Sequence, residues 1–209
     1  MEHIEETKED QYTTIRGVSR TELRVKKSRF IGLAKSVASE DDAMDFIRSV
    51  KSEFSDASHH CYAFSIGTGA GKIFRSNDAG EPVNSAGKPI LSAVESSGFN
   101  NVICVVVRYF GGIKLGIGGL IRAYGQTARE CFENAVMIVR TSSACLEIEM
   151  PYDHIGAVLK LVARLQGNIL DMEHGEESKA IVRIRCSMVP LLEENIKAIS
   201  GDIVVNILK

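Results

Sequence analysis

Long apolar runs are missing from this 209-residue chain: none approaches the ~20 residues of a membrane-spanning helix. The acidic N-terminus also lacks the basic flank and apolar core of a signal peptide. Cysteine is sparse and forms no CxxC pair. An odd count of five, Cys61, Cys104, Cys131, Cys145 and Cys186, at scattered spacing predicts reduced, mostly buried thiols in a cytoplasmic protein. A strong charge of one sign is absent too, the formal net charge being −2. Residues 11–138 carry 16 basic against 12 acidic side chains, a balance that could meet phosphate or nucleic acid but is far from a strong electrostatic footprint. His59-His60-Cys61 invites a metal, yet adjacent strand residues point to opposite faces and no second Cys/His pair stands at zinc-finger spacing. No metal site is expected, and no motif requires a cofactor.

What is present is glycine, concentrated in one place. In RYFGGIKLGIGGLIRAYGQTARE (108–130), five glycines (Gly111, Gly112, Gly116, Gly118, Gly119) fall within nine residues, between an apolar strand and a long helix. Glycine is costly to order, so such a cluster marks tight turns or close backbone approach. A helix N-terminus also presents unpaired N–H groups that favour an anion. Two readings stay open: a sharp strand-to-helix turn, or a site for an anion or phosphate backbone. In the second, Lys114 supplies charge, the amides of Gly118 and Gly119 donate, and Arg108 and Arg122 flank them. The segment is not a P-loop, because no GK(S/T) closes it. Nor is it a dinucleotide fingerprint, because Ile121 stands where the third glycine belongs.

Periodicity organises the rest. Residues 1–10 read as a solvated acidic tail. YTTIRG, TELRVKKS and RFIGLAKSV read as strands, with a polar turn near Val18-Ser19-Arg20. Ser39 and Asp42 resemble a capping box, and Met44, Ile47, Val50 and Phe54 predict a helix over 40–54. HCYAFSIG and KIFRS are strand candidates, and a short helix is expected over 89–97. NVICVVVRYF suits a strand buried on both faces. The following helix should pack through Leu120, Ile121, Tyr124, Cys131, Phe132 and Ala135. Near residue 139 the pattern changes to β-α-β-β-α-β, a self-sufficient ferredoxin-like order.

Two further segments are candidate sites. NDAGEPVNSAGKP (76–88) is polar, turn-rich and stiffened by prolines, the kind of loop that carries function. There Glu81 could be a general base, a metal ligand or a cap, and Lys88 opposes the dipole of the helix it precedes. The run from Arg16 to Arg29 includes Arg24, Lys26, Lys27 and Arg29, either a solvated sheet face or a secondary RNA-backbone contact. Only Phe30 lies nearby for base stacking, so sequence-specific single-strand recognition by this run is not supported.

DASHHCYAFSIG (56–67), GEPVNSAGKPIL (80–91) and VVVRYFGGIKLGIGGLIRAYG (105–125), with KKSRFIG (26–32) upstream, resemble the IMPACT/YigZ family, and the two-domain plan resembles its bacterial YigZ-like branch. The resemblance implies an α+β protein. Its first domain, 11–138, would be a two-layer α/β domain like domain IV of elongation factor G and a small-subunit ribosomal protein. Its second, 139–209, would be ferredoxin-like, similar to domain V of that factor. Eukaryotic members act in translational control, restraining the kinase that responds to uncharged tRNA. For bacterial members, fold kinship implies nucleic-acid or ribosome binding. No counterpart of the extra N-terminal domain of the eukaryotic proteins stands in these residues, so their partner binding does not carry over. The family's DDGEP and GT(A/S)G are altered here at Ala79 and Asn84, which puts in doubt any mechanism needing both aspartates.

The expectation is therefore a non-enzymatic, translation-associated protein that contacts RNA, the ribosome or a regulatory protein. The competing expectation is an enzyme on a small phosphorylated or peptide substrate, with Glu81, His60 and Lys88 as acid–base groups around the glycine loop. Glu81 and His60 on opposite faces would remove it. A third is a pure protein-interaction module, docking through the second domain.

Overall fold

A computed structural model describes residues 10–175 and 177–208. The protein is α+β and divides into two compact units. Tyr12–Arg140 forms one, and among the described residues the segment from Thr141 onward forms the other with Asp10 and Gln11. The expected tail over 1–10 lies outside the described residues except for Asp10, which is buried rather than solvated. Its carboxylate accepts from the Ser187 amide at 2.8 Å and the Ser187 hydroxyl at 2.5 Å.

The first unit opens with β1 (Gln11–Ile15) and β2 (Val18–Val25), separated at Arg16-Gly17 rather than at Val18-Ser19-Arg20. β3 (Ser28–Ser36), α1 (Glu40–Glu53), β4 (His59–Ile66), β5 (Ile73–Asn77), α2 (Gly87–Ser96), β6 (Val102–Tyr109) and α3 (Ile117–Glu133) follow. β2 to β6 form one antiparallel sheet in the order β2-β3-β6-β4-β5. The sheet is covered on both faces, so the unit has three layers, not the two expected. The reason is in the strands: β3 and β6 are apolar at successive positions, and an uncovered face would leave that surface in water. Val102, Cys104 and Val106 of β6 face α2 and α3, while Ile103, Val105 and Val107 face α1.

Capping sets the start of α1: the Ser39 side chain accepts from the Asp42 amide, while Asp42 reaches back to Ala38 rather than to Ser39 as a capping box would. Ala43, Phe46, Ile47 and Val50 make its buried stripe. Met44, one position off that stripe, is exposed, as is Ile121 on α3. β7 (Met137–Thr141) bridges the expected boundary and pairs with β1, a long-range match that neither segment signals alone.

In the second unit β8 (Ser143–Pro151), α4 (Ile155–Arg164), β9 (Asn168–Glu173), β10 (Glu177–Arg185), α5 (Val189–Ile199) and β11 (Val204–Leu208) follow in turn. The antiparallel sheet runs β11-β8-β10-β9. Alternation is clean here: Leu146, Ile148 and Met150 face Val158, Val162, Leu192 and Ile196, while Glu147, Glu149 and Lys179 point the other way. Two layers suffice because only one sheet face is apolar.

Candidate functional site

β6 delivers Arg108 at its C-terminal end, on the sheet face that α2 and α3 cover, where it is only 5% exposed. A buried guanidinium needs an anion, and Glu81 supplies it from the loop between β5 and α2. Arg108 Nη1 donates to Glu81 Oε1 at 2.5 Å, and the Tyr124 hydroxyl of α3 donates to the same oxygen at 2.8 Å. Burial first, then Cys61 and Glu81, push the Tyr124 hydroxyl far up from its ordinary value, so it remains a donor.

The loop that carries Glu81 is built around Asp78. Its carboxylate accepts the amides of Ala86 (2.9 Å), Gly87 (2.8 Å) and Asn84 (2.8 Å), which closes the loop and caps α2 from a distance. Burial would raise this carboxyl, but the three N–H donors outweigh it and hold it below the ordinary range. Two non-glycine residues of this loop adopt left-handed backbone: Ala79 at φ 46° and Asn84 at φ 62°. Asparagine tolerates this conformation better than most residues with a side chain, which suits Asn84 to its place.

His59 completes the floor. Its Nδ1 lies 3.0 Å from the Ala79 carbonyl, which can only accept, so the proton sits on Nδ1. Nε2 lies 3.8 Å from Glu81 Oε1.

Over this floor opens a cleft of about 490 Å³, inside the ~300–1,000 Å³ range of small-ligand sites. Pro82, Phe110, Leu115, Ile117 and Leu120 form apolar walls, and the exposed Lys114 stands at the side. The glycine-rich loop and the GEP loop therefore face each other across one cavity. α3 begins at its wall with no side-chain cap and no acidic residue in its first turn. The Gly118 and Gly119 amides lie in that turn, without a hydrogen-bond partner among the described residues. Gly111 has a structural duty: a Cβ there would meet the Lys27 carbonyl oxygen at 1.8 Å, so only glycine lets this loop lie against the β2–β3 turn.

The predicted site residues separate. Arg108 and Lys114 line the cleft, the first consumed by Glu81 and the second free of ion pairs among the described residues. Lys88 and Arg122 are exposed but do not line it. The secondary basic face is partly neutralised, with Arg24 and Arg29 sharing Glu22 at 3.1 and 2.9 Å. Lys26 and Lys27 remain exposed at the turn beside Gly111.

The acid–base trio is not assembled. His60 Nε2 bonds the Phe54 carbonyl at 3.0 Å on the α1 side of the sheet, whereas Glu81 lies on the α2/α3 side. Alternation along β4 puts His59, not His60, beside Glu81. The parity of Cys61 and Ala63, the apolar residues of that face, was the available signal. Phe110 and Tyr124 were missed as well, and only the fold brings them to the cleft. Among the described residues no group of three or more His, Cys, Asp or Glu side chains could hold a metal, and no helix is long and apolar enough to cross a membrane.

A three-layer α/β unit with a polar-floored cleft, followed by a four-stranded two-layer unit, defines the class of protein. The Impact N-terminal domain profile matches residues 26–132, which include every residue of the cleft. IMPACT family member YvyE of Bacillus subtilis strain 168 is 33% identical over 79% of this chain and 76% of its own length. IMPACT family member YigZ of Escherichia coli strain K12 is 32% identical over 78% and 79%. The crystal structure of a hypothetical protein, 27% identical, covers 96% of this chain and 98% of its own with a TM-score of 0.71. The chain belongs to the IMPACT family.

Proposed function

We propose that the protein is a non-enzymatic, cytoplasmic regulator associated with translation, which binds RNA, free or on the ribosome, through its first domain. One observation carries the reading. The charges at the cleft floor cancel in the Arg108–Glu81 pair, so the net field at its opening comes from Lys114 and the uncapped first turn of α3. A phosphate there meets Lys114 and the Gly118 and Gly119 amides, with Lys26 and Lys27 beside Gly111 extending the positive surface and Arg122 and Lys88 as outlying contacts. In this reading residues 11–138 act as the IMPACT-type domain, akin to domain IV of elongation factor G. Residues 139–209 form a ferredoxin-like domain akin to its domain V, a kinship that the strand order β11-β8-β10-β9 supports.

RNA binding and ribosome co-sedimentation across a salt series test the proposal. The expected result is association that weakens as salt rises, with a slope of about −0.7 per phosphate contact for single strands. Absence of binding to RNA and ribosomes even at low salt overturns it. A pull-down in which capture of a protein survives nuclease treatment would instead assign the surface to a regulatory protein.

A further inference from the structure

We infer that the cleft takes one unstacked nucleobase of a single-stranded RNA, with Phe110 as its stacking platform and the adjoining phosphate at Lys114 and the first turn of α3. The inference rests on the RNA reading above and adds the form of RNA and the part of it that enters.

Phe110 follows the last residue of β6 and remains 47% exposed while lining the cleft. An exposed phenylalanine on a soluble protein is unremarkable alone, but this one is held in place. The Arg108 guanidinium lies 5.3 Å from its centroid and 5.5 Å from that of the buried Phe30. The Phe110 amide donates to the Ser58 hydroxyl at 3.1 Å. A ring so fixed can receive a planar partner at little entropic cost. Arg108 itself is buried and lines the cleft, yet its Nε has no hydrogen-bond partner among the described residues.

The walls suit a flat heterocycle rather than a phosphate. Pro82, Leu115, Ile117 and Leu120 are apolar, while the His59 ring on the floor offers an edge nitrogen to a base. Phosphate has its own place at Lys114 and the Gly118 and Gly119 amides. Duplex RNA cannot use both, because its bases are stacked and its deep major groove shields their edges. A single strand can splay one base into the cleft.

The test is fluorescence anisotropy at low salt with the full chain, using labelled twelve-nucleotide oligo(A) and a twelve-base-pair RNA duplex. The expected result is tighter binding of the single strand, and a loss of about 10- to 100-fold in its affinity for Phe110→Ala, the range for removing one base stack. Phe110→Tyr, which keeps a ring, should restore most of that loss, and thermal melting confirms that each variant folds. Lys114→Ala should weaken both RNAs. If the duplex binds as tightly as the single strand, or Phe110→Ala binds oligo(A) unchanged, no base enters the cleft while the broader RNA reading stands. If neither RNA binds, the inference is overturned, and ribosome co-sedimentation decides whether the broader reading stands.

Discussion

Arg108 and Glu81, 27 residues apart in sequence, meet at 2.5 Å beneath the cleft with both side chains almost wholly buried. The pair ties the end of β6 to the GEP loop, and Tyr124 adds α3 to the same carboxylate oxygen. β6, the loop between β5 and α2, and α3 are thus joined by one anion.

Breaking that pair from one side leaves a charge buried without its partner. Glu81→Ala should cost about 3–5 kcal/mol in urea unfolding. The double variant Glu81→Leu with Arg108→Met should be less destabilised than the sum of its single changes, because it leaves no buried charge. Additive losses would show that the two groups do not act together.

The glycine-rich loop contains two kinds of glycine, and alanine substitution separates them. At Gly111 a Cβ would overlap the Lys27 backbone, so Gly111→Ala must move the loop or the β2–β3 turn and should cost more than about 3 kcal/mol. Gly112, at φ 81° with open space around it, should lose only about 1–2 kcal/mol. Equal effects at the two positions would contradict the close packing. Denaturant midpoints of the two variants make the comparison.

Asp78 makes stability depend on pH in a definite direction. Its carboxyl is held below its ordinary value, about 3.9. The folded state therefore favours the ionised form, and this contribution is present above the ordinary value and lost as pH falls through the folded one. Asp78→Asn should cost about 1 kcal/mol near neutrality. It should also flatten the stability profile below about pH 4. An unchanged profile would mean that the cap does not titrate.

The thiols should react in order of access. Cys186 is exposed, whereas Cys61 is buried and pushed up to about 12, chiefly by that burial, so it stays a thiol at pH 8. A thiol reagent should modify Cys186 first and Cys145 more slowly. Cys61, Cys104 and Cys131 should follow only on unfolding. Cys186→Ser should remove the fast phase, and a fast phase that survives this change would show that another thiol opens readily.

Much of this molecule is local and could be read locally. The Ser39 cap and the alternation of β8 each depend on a few adjacent residues, and periodicity places them. The apolar run of β6 predicts burial on both faces, and the two helix layers follow from it. β7 could not be read this way, since its partner β1 lies at the other end of the unit. The choice between His59 and His60 was readable only in part: parity divides them, but which parity faces the loop depends on where α1 packs.

Periodicity and spacing determined the order of strands and helices except β7 and the absence of nucleotide fingerprints, while the quoted motifs carry the resemblance to the IMPACT family. The tertiary structure alone decided that Arg108 is consumed by Glu81, that Lys114 is left at the cleft while Lys88 and Arg122 are not, and that Phe110 stands beside it. The physical reason is that a side chain's partner in a buried site is chosen by sheet register and helix packing, which join residues that no local pattern relates.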